Sequence, residues 1–176
     1  KGGTFLLNSP FGKDEVWSML PYSVQKELIE KQVHFYVIDA TTVARNSGMG
    51  TRINTIMQTC FFALSAVLPK EEAIAQIKHS IEKTYSKKGS KVIEQNFQAV
   101  DATLDHLHQV EIPKSATSIT EMLSVVPSAA PDFVKDVTAM MMSGHGDELP
   151  VSKMSLDGTY PSGTTKWEKR NVSDLV

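Results

Sequence analysis

The sequence predicts an α/β fold, a parallel βαβ unit followed by helices, with an irregular C-terminal arm. Three observations carry that prediction. Two β-rich apolar stretches, "GGTFLLN" (2–8) and "VHFYVID" (33–39), enclose a helical segment within about 38 residues. Three stripes of apolar residues at 3/4 spacing then follow one another. From Ser143 onward glycine, proline and serine punctuate the chain, and no long periodic segment recurs.

The first stretch reads as a buried strand after a glycine turn, ended by the turn chemistry of Asn8-Ser9-Pro10. Asp14 or a neighbour is expected to cap a helix starting near Glu15. Pro21 breaks it, and a second piece runs from Ser23 to Lys31. Residues 33–39 form the strongest strand, β-branched, aromatic and nearly continuous, as in a parallel strand covered on both faces. A βαβ unit makes the two strands parallel with a right-handed crossover. Ile53, Ile56, Met57, Cys60, Phe61, Leu64 and Val67 mark a helix over 52–68, which Pro69 stops. Ile74, Ile77, Ile81 and Tyr85 mark the next, and Lys87-Lys88-Gly89 is its C-terminal turn. A third helix, from Ser90 to about Val110, carries Ile93, Phe97, Val100, Leu104 and Leu107. Beyond Glu111, Pro113, Pro127 and Pro131 describe a linker with short helices at about 118–126 and at 132–142. Residues 143–176 are expected to wrap a larger body rather than fold alone.

The totals exclude several classes. With 41% apolar and 22% charged residues the composition is that of a globular protein. A net charge of −2 argues against a nucleic-acid surface. The longest largely apolar run, Cys60 to Leu68, is too short to span a bilayer, and no signal peptide is visible. A single cysteine excludes an internal disulfide or a thiolate metal site made by this chain alone, and it fits a reducing compartment. The absence of an initiator methionine at Lys1 suggests a processed or partial chain.

The stretch "NSGMGTRINTIMQTCFF" (46–62) poses the functional question. Two glycines before a helix can serve an anion, because first-turn N–H groups are unpaired and the helix dipole is positive there. They can equally be the turn by which a buried helix enters a core, and neither a Walker nor a dinucleotide fingerprint is present. Asn54 and Gln58 share a helix face beside the apolar stripe, and Asn96 lies beside the stripe of the third helix. Such amides either finish a domain edge or meet a ligand. Cys60 sits within its stripe, where a thiol behaves as a small hydrophobe rather than a nucleophile. His106 and His108, two apart, cannot share a helix face, and His145 stands between glycines. Asp39 occupies the strand end where open α/β sheets hold ligands, or caps the next helix. No catalytic constellation and no metal spacing can be assembled from these residues.

Together, "GGTFLLNSPF", "FYVIDAT", "MGTRINTIMQTCFFALSAVLP", "VIEQNFQAVD" and the terminal "PSGTTKWEKRN" resemble pyruvate:ferredoxin (flavodoxin) oxidoreductases, in that order and across the whole chain. The resemblance implies a partial three-layer, Rossmann-like gamma-type domain. Its second half would occupy 1–112, followed by a linker at 113–142 and the start of the small EKR domain at 143–176, with Glu168-Lys169-Arg170 as its signature. It further implies that the thiamine diphosphate, magnesium and three [4Fe–4S] clusters of the parent enzyme are bound outside this segment. The parent decarboxylates pyruvate oxidatively with coenzyme A to acetyl-CoA and CO2, sending electrons to ferredoxin or flavodoxin. It acts as a homodimer in the cytoplasm, or in an anaerobic organelle such as a hydrogenosome. The resemblance places coenzyme A contacts on Asn54 and Asn96, and a weaker one on Arg52. Gly48 and Gly50 then shape the entry turn, while Ile53, Ile56, Met57, Cys60 and Phe61 are core. The segment by itself would be inactive, with the parent's remaining domains as its partners. Two alternatives stay open: a purely structural or interaction segment, and the same segment in a pyruvate:NADP oxidoreductase fusion.

Overall fold

The expected pair of strands forms two of the three strands of a sheet ordered β1-β2-β3, with the second strand central, in a computed structural model that describes residues 1–168. β1 (Thr4–Asn8) pairs in parallel with β2 (His34–Ile38), setting Phe5 beside Phe35 and Leu7 beside Val37. Side chains alternate across a strand, so β2 presents Phe35 and Val37 to one face and Tyr36 and Ile38 to the other. The first face packs on Val16, Trp17 and Leu28 from α1 (Val16–Met19) and α2 (Tyr22–Glu30). Ile38, with Leu6, joins Val43, Ile56, Cys60 and Ala99 on the opposite side. Those residues come from α3 (Ala40–Asn46), α4 (Asn54–Ser65) and α6 (Ser90–His106). The result is helix, sheet, helix, the layering expected for a Rossmann-like half-domain. α5 (Lys70–Tyr85) starts at Pro69, as expected, and packs Ile77 and Ile81 on Val100 of α6 and Phe62 of α4.

Five local expectations are corrected. The helix read as reaching Val110 stops at His106. Leu107 turns extended, and His108–Val110 become β3, antiparallel to β2. α3 adds a helix directly after Asp39, before the one marked from residue 52. Asp14 caps nothing: α1 follows Glu15, without a side-chain cap bond. Phe61, read as core, is 57% exposed and meets Phe62 edge-on at 5.3 Å. No helix forms over 118–126. Gln25 of α2 explains part of that. Fully buried, its carbonyl oxygen accepts the backbone N–H groups of Thr117 and Ser118 at 2.8 and 2.9 Å, and its amide donates to the Trp17 carbonyl at 2.6 Å. The Tyr22 N–H donates to the Thr120 carbonyl. These bonds hold 117–120 along α2 in a conformation that a helix cannot supply.

Two compact units result, 1–121 and, among the described residues, 122–168. Within the second, a π-helical segment (Val134–Thr138) runs into α7 (Ala139–Met142), where the sequence predicts a helix. Val126, Ala130 and Val134 form its small core, with Val125, Ala139 and Trp167 against them. The Thr138 hydroxyl meets the Tyr160 hydroxyl at 2.8 Å, and the Phe133 and Tyr160 rings stand edge-on. The rest is short 3₁₀ turns and α8 (Thr165–Glu168). Lys169 and Arg170 of the signature segment lie outside the described residues. Among the described residues no helix is long and apolar enough to cross a membrane.

Candidate functional site

The turn between α3 and α4 is built by its own backbone. Met49, itself buried, donates its N–H to the Ala44 carbonyl and accepts from both the N–H and the Nε of Arg52. Gly48 has φ +71°, and a Cβ there would lie 2.5 Å from the Gln95 amide nitrogen of α6. A side chain at 48 would therefore be strained and would displace Gln95. This is the glycine of an entry turn pressed against a neighbouring helix. The core reading of the opening motif holds for Ile56 and Cys60, both fully buried.

The same turn delivers two polar groups to the place where α6 delivers a third. Arg52 and Asn54 stand at the start of α4, and Asn96 projects from α6, 42 positions later (96 − 54). Together with Met49, Thr55 and Tyr85 they line a cavity of about 70 Å³. Asn96 is buried, its oxygen accepting from the Thr55 hydroxyl at 3.1 Å and its nitrogen donating to the Val92 carbonyl at 2.8 Å. An amide has two N–H groups and two lone pairs, so one of each stays available. The Asn54 amide is exposed and makes no hydrogen bond among the described residues. Arg52 spends its Nε on Met49 and has no acidic partner among the described residues, which leaves the ends of its guanidinium for an anion. No side chain caps α4, so its first-turn N–H groups add positive potential at the same spot. Charge, amides and a helix start in one wall suit a phosphorylated, amide-bearing ligand.

Other candidates resolve otherwise. Asp39 is the N-cap of α3, its carboxylate accepting the Thr42 N–H at 2.9 Å. Hydrogen bonding from Thr42, hydroxyl first and then backbone, holds its carboxyl below the usual range. It caps; it does not face the cavity. Burial pushes the Cys60 thiol up to about 11, so it is a neutral core group. The His106 ring is bound to the Ala102 carbonyl, and His145 pairs with Glu148 at the surface. Among the described residues no group of His, Cys, Asp and Glu could hold a metal ion. A sequence reading could not find Thr55 and Tyr85, because each reaches the cavity only through the packing of α4, α5 and α6.

Residues 1–106 match the profile described as pyruvate ferredoxin/flavodoxin oxidoreductase, and 120–173 match EKR, a domain of unknown function. The pyruvate-flavodoxin oxidoreductase of Rhodospirillum rubrum is 54% identical over 175 residues, covering 99% of this chain and 15% of that protein. That of Nostoc sp. is also 54% identical, over 182 residues, with the same coverage of both chains. The pyruvate:ferredoxin oxidoreductase of Moorella thermoacetica is 43% identical over 172 residues, covering 98% of this chain and 15% of that protein. The chain thus spans about 15% of the length of the curated relatives it matches.

Proposed function

The chain belongs to the pyruvate ferredoxin/flavodoxin oxidoreductase family, and from that membership we propose that it is the coenzyme A-contacting segment of such an enzyme, inactive by itself. The parent reaction converts pyruvate and coenzyme A to acetyl-CoA and CO2, with two electrons leaving for ferredoxin or flavodoxin. Thiamine diphosphate, magnesium and iron–sulfur clusters supply the decarboxylation and electron transport there. The thiols of this chain do not fit an iron–sulfur cluster: a [4Fe–4S] cluster needs several thiolates, and Cys60 is one buried thiol. The setting is the cytoplasm, with ferredoxin or flavodoxin as redox partner and the enzyme's other domains as the immediate neighbours.

The observation that carries this reading is the meeting of Arg52 and Asn54, from the turn and first residue of α4, with Asn96 of α6 at one cavity. Coenzyme A offers phosphates to the guanidinium, and phosphate oxygens, hydroxyls and amides to the two asparagines, which both donate and accept. In the complete enzyme, replacing Asn54 by alanine should raise the KM for coenzyme A roughly 3- to 10-fold, one neutral hydrogen bond being worth about 0.5–1.5 kcal/mol. The KM for pyruvate should not move, because pyruvate carries neither the diphosphate nor the amides that this wall is proposed to read. An unchanged KM for coenzyme A in Asn54→Ala and Asn96→Ala alike would end the assignment.

A structural reading has one observation behind it. Asn96 ties α4 to α6 through Thr55, so its amide is a brace whether or not a ligand comes. That reading expects Asn96→Ala to lower the melting temperature with both KM values unchanged. The two readings part on the kinetics of Asn54→Ala, whose side chain makes no hydrogen bond among the described residues.

A further inference from the structure

The small cavity at Arg52 opens into a longer groove. Asn54, Thr55 and Tyr85 also border a second cavity of about 210 Å³ between α4 and α5. That one in turn shares Gln58, Ile77 and Ser80 with a third, of about 110 Å³. The path follows α5 backward from Tyr85 to Gln76, about 14 Å at 1.5 Å per residue. Sites that enclose a whole drug-sized ligand run to about 300–1,000 Å³, so each cavity suits only part of an extended molecule.

The chemistry changes along the path. At one end stand Arg52 and the start of α4, both favourable to negative charge. Beyond Tyr85 the groove wall holds no charged side chain among the described residues. Gln58, Ser80 and Thr84 offer neutral donors and acceptors between Ile77 and Ile81. At the far end Phe62 and Leu68 make it more apolar. Gln58, Ser80 and Thr84 are all exposed, and none of their side chains has a hydrogen-bond partner among the described residues. A phosphate placed in this stretch would lose water and gain no cation, a cost that a neutral amide chain avoids.

We propose that the α4–α5 groove receives the pantetheine arm of coenzyme A, with Gln58, Ser80 and Thr84 reading its amides and hydroxyl, and with the phosphates left at the Arg52 end. This rests on the coenzyme A reading and adds a direction to it. Alternating amides and methylenes of the arm match alternating polar and apolar groups on the wall. The thiol end is directed toward Phe62 and Leu68, away from the charge.

The test uses the complete enzyme and two probes, coenzyme A and adenosine 3′,5′-bisphosphate, the latter lacking the arm. In the double variant Gln58→Leu/Thr84→Val, affinity for coenzyme A should fall about 10-fold, two hydrogen bonds being lost at roughly 3-fold each. Binding of the bisphosphate and the KM for pyruvate should stay as in the parent. Ser80→Ala, a smaller change, should weaken coenzyme A about 3-fold with the melting temperature held, which covers the case where the double variant folds poorly. Coenzyme A binding unchanged in the groove variants but weakened by Asn54→Ala overturns the groove and spares the coenzyme A assignment. Equal weakening of both probes would put the nucleotide in the groove and reverse the direction, which also overturns it. If Asn54→Ala is silent as well, the assignment itself fails and the groove falls with it.

Discussion

Residues 1–121 and residues 122–168 are held together by different means. The first unit has a sheet covered on both faces, with Phe35, Val37, Ile38, Ile56 and Val100 each at 2% exposure or less. The second has one small cluster around Val126, Ala130 and Val134, and relies on turns and on the Thr138–Tyr160 pair. Buried apolar area is the dominant favourable contribution to folding, at about 25 cal/mol per Å². The contrast teaches where stability should reside. The site is on the stiff unit, so the cavity at Arg52, Asn54 and Asn96 is carried by helices that the sheet orients.

The sharpest way to break the contrast is to remove one core side chain from each unit. Phe35, fully buried and stacked on Phe5 at 5.3 Å, should cost about 3–5 kcal/mol as Phe35→Ala. Val134→Ala should cost less, about 1–2 kcal/mol, since fewer atoms leave a smaller cluster. Unit-resolved hydrogen exchange reads both. Equal losses of protection in the two units would mean that the second has a core as strong as the first.

A second substitution sharpens the boundary itself. Gln25→Ala removes a buried amide with three hydrogen bonds, leaving the N–H groups of Thr117 and Ser118 without their acceptor. About 2–3 kcal/mol should be lost, and 117–120 should exchange faster while β1 and β2 stay protected. Unchanged exchange at 117 and 118 would show that this segment is held by something other than Gln25.

The smallest effect is local and depends on pH. Asp39 has a folded pKa below its unfolded value, so its contribution is complete above the unfolded value, about 3.9. It is lost as the pH falls through the lower, folded value. Asp39→Ala should therefore cost about 1 kcal/mol near neutrality, and the gap from the parent should close in acid. Melting temperatures of the two proteins between pH 7 and strongly acidic pH check this; a constant gap would show that Asp39 acts through something other than its charge.

What the sequence made legible follows the same contrast. Continuous β-branched runs and 3/4 stripes announce elements whose identity is local, so β1, β2, α4 and α5 were readable. α3 is seven residues of mostly small or β-branched side chains, and its Ala40, Val43 and Ala44 contacts give too short a stripe to notice. β3 is a strand only because β2 offers it partners; Leu104 and Leu107 continue the helical rhythm right up to it. The start of the segment 118–126 is held instead by a glutamine 92 positions away from Thr117, a distance at which no local rule operates. Asn54 and Asn96 were visible as amides beside apolar stripes. Tyr85 and Thr55 were not, since only the packing of three helices turns them toward the same space.

The chain has two tryptophans, and they fall one to each unit. Trp17 is buried in the first, and its indole N–H alone, among the buried side-chain polar groups of the described residues, lacks an acceptor. An indole shielded from water and without a hydrogen bond emits toward the blue. Trp167 is half-buried, with the Lys166 ammonium 4.7 Å above its ring, and should emit further to the red. Each unit thus carries its own built-in dye, and the colour of the light reports which of them has opened.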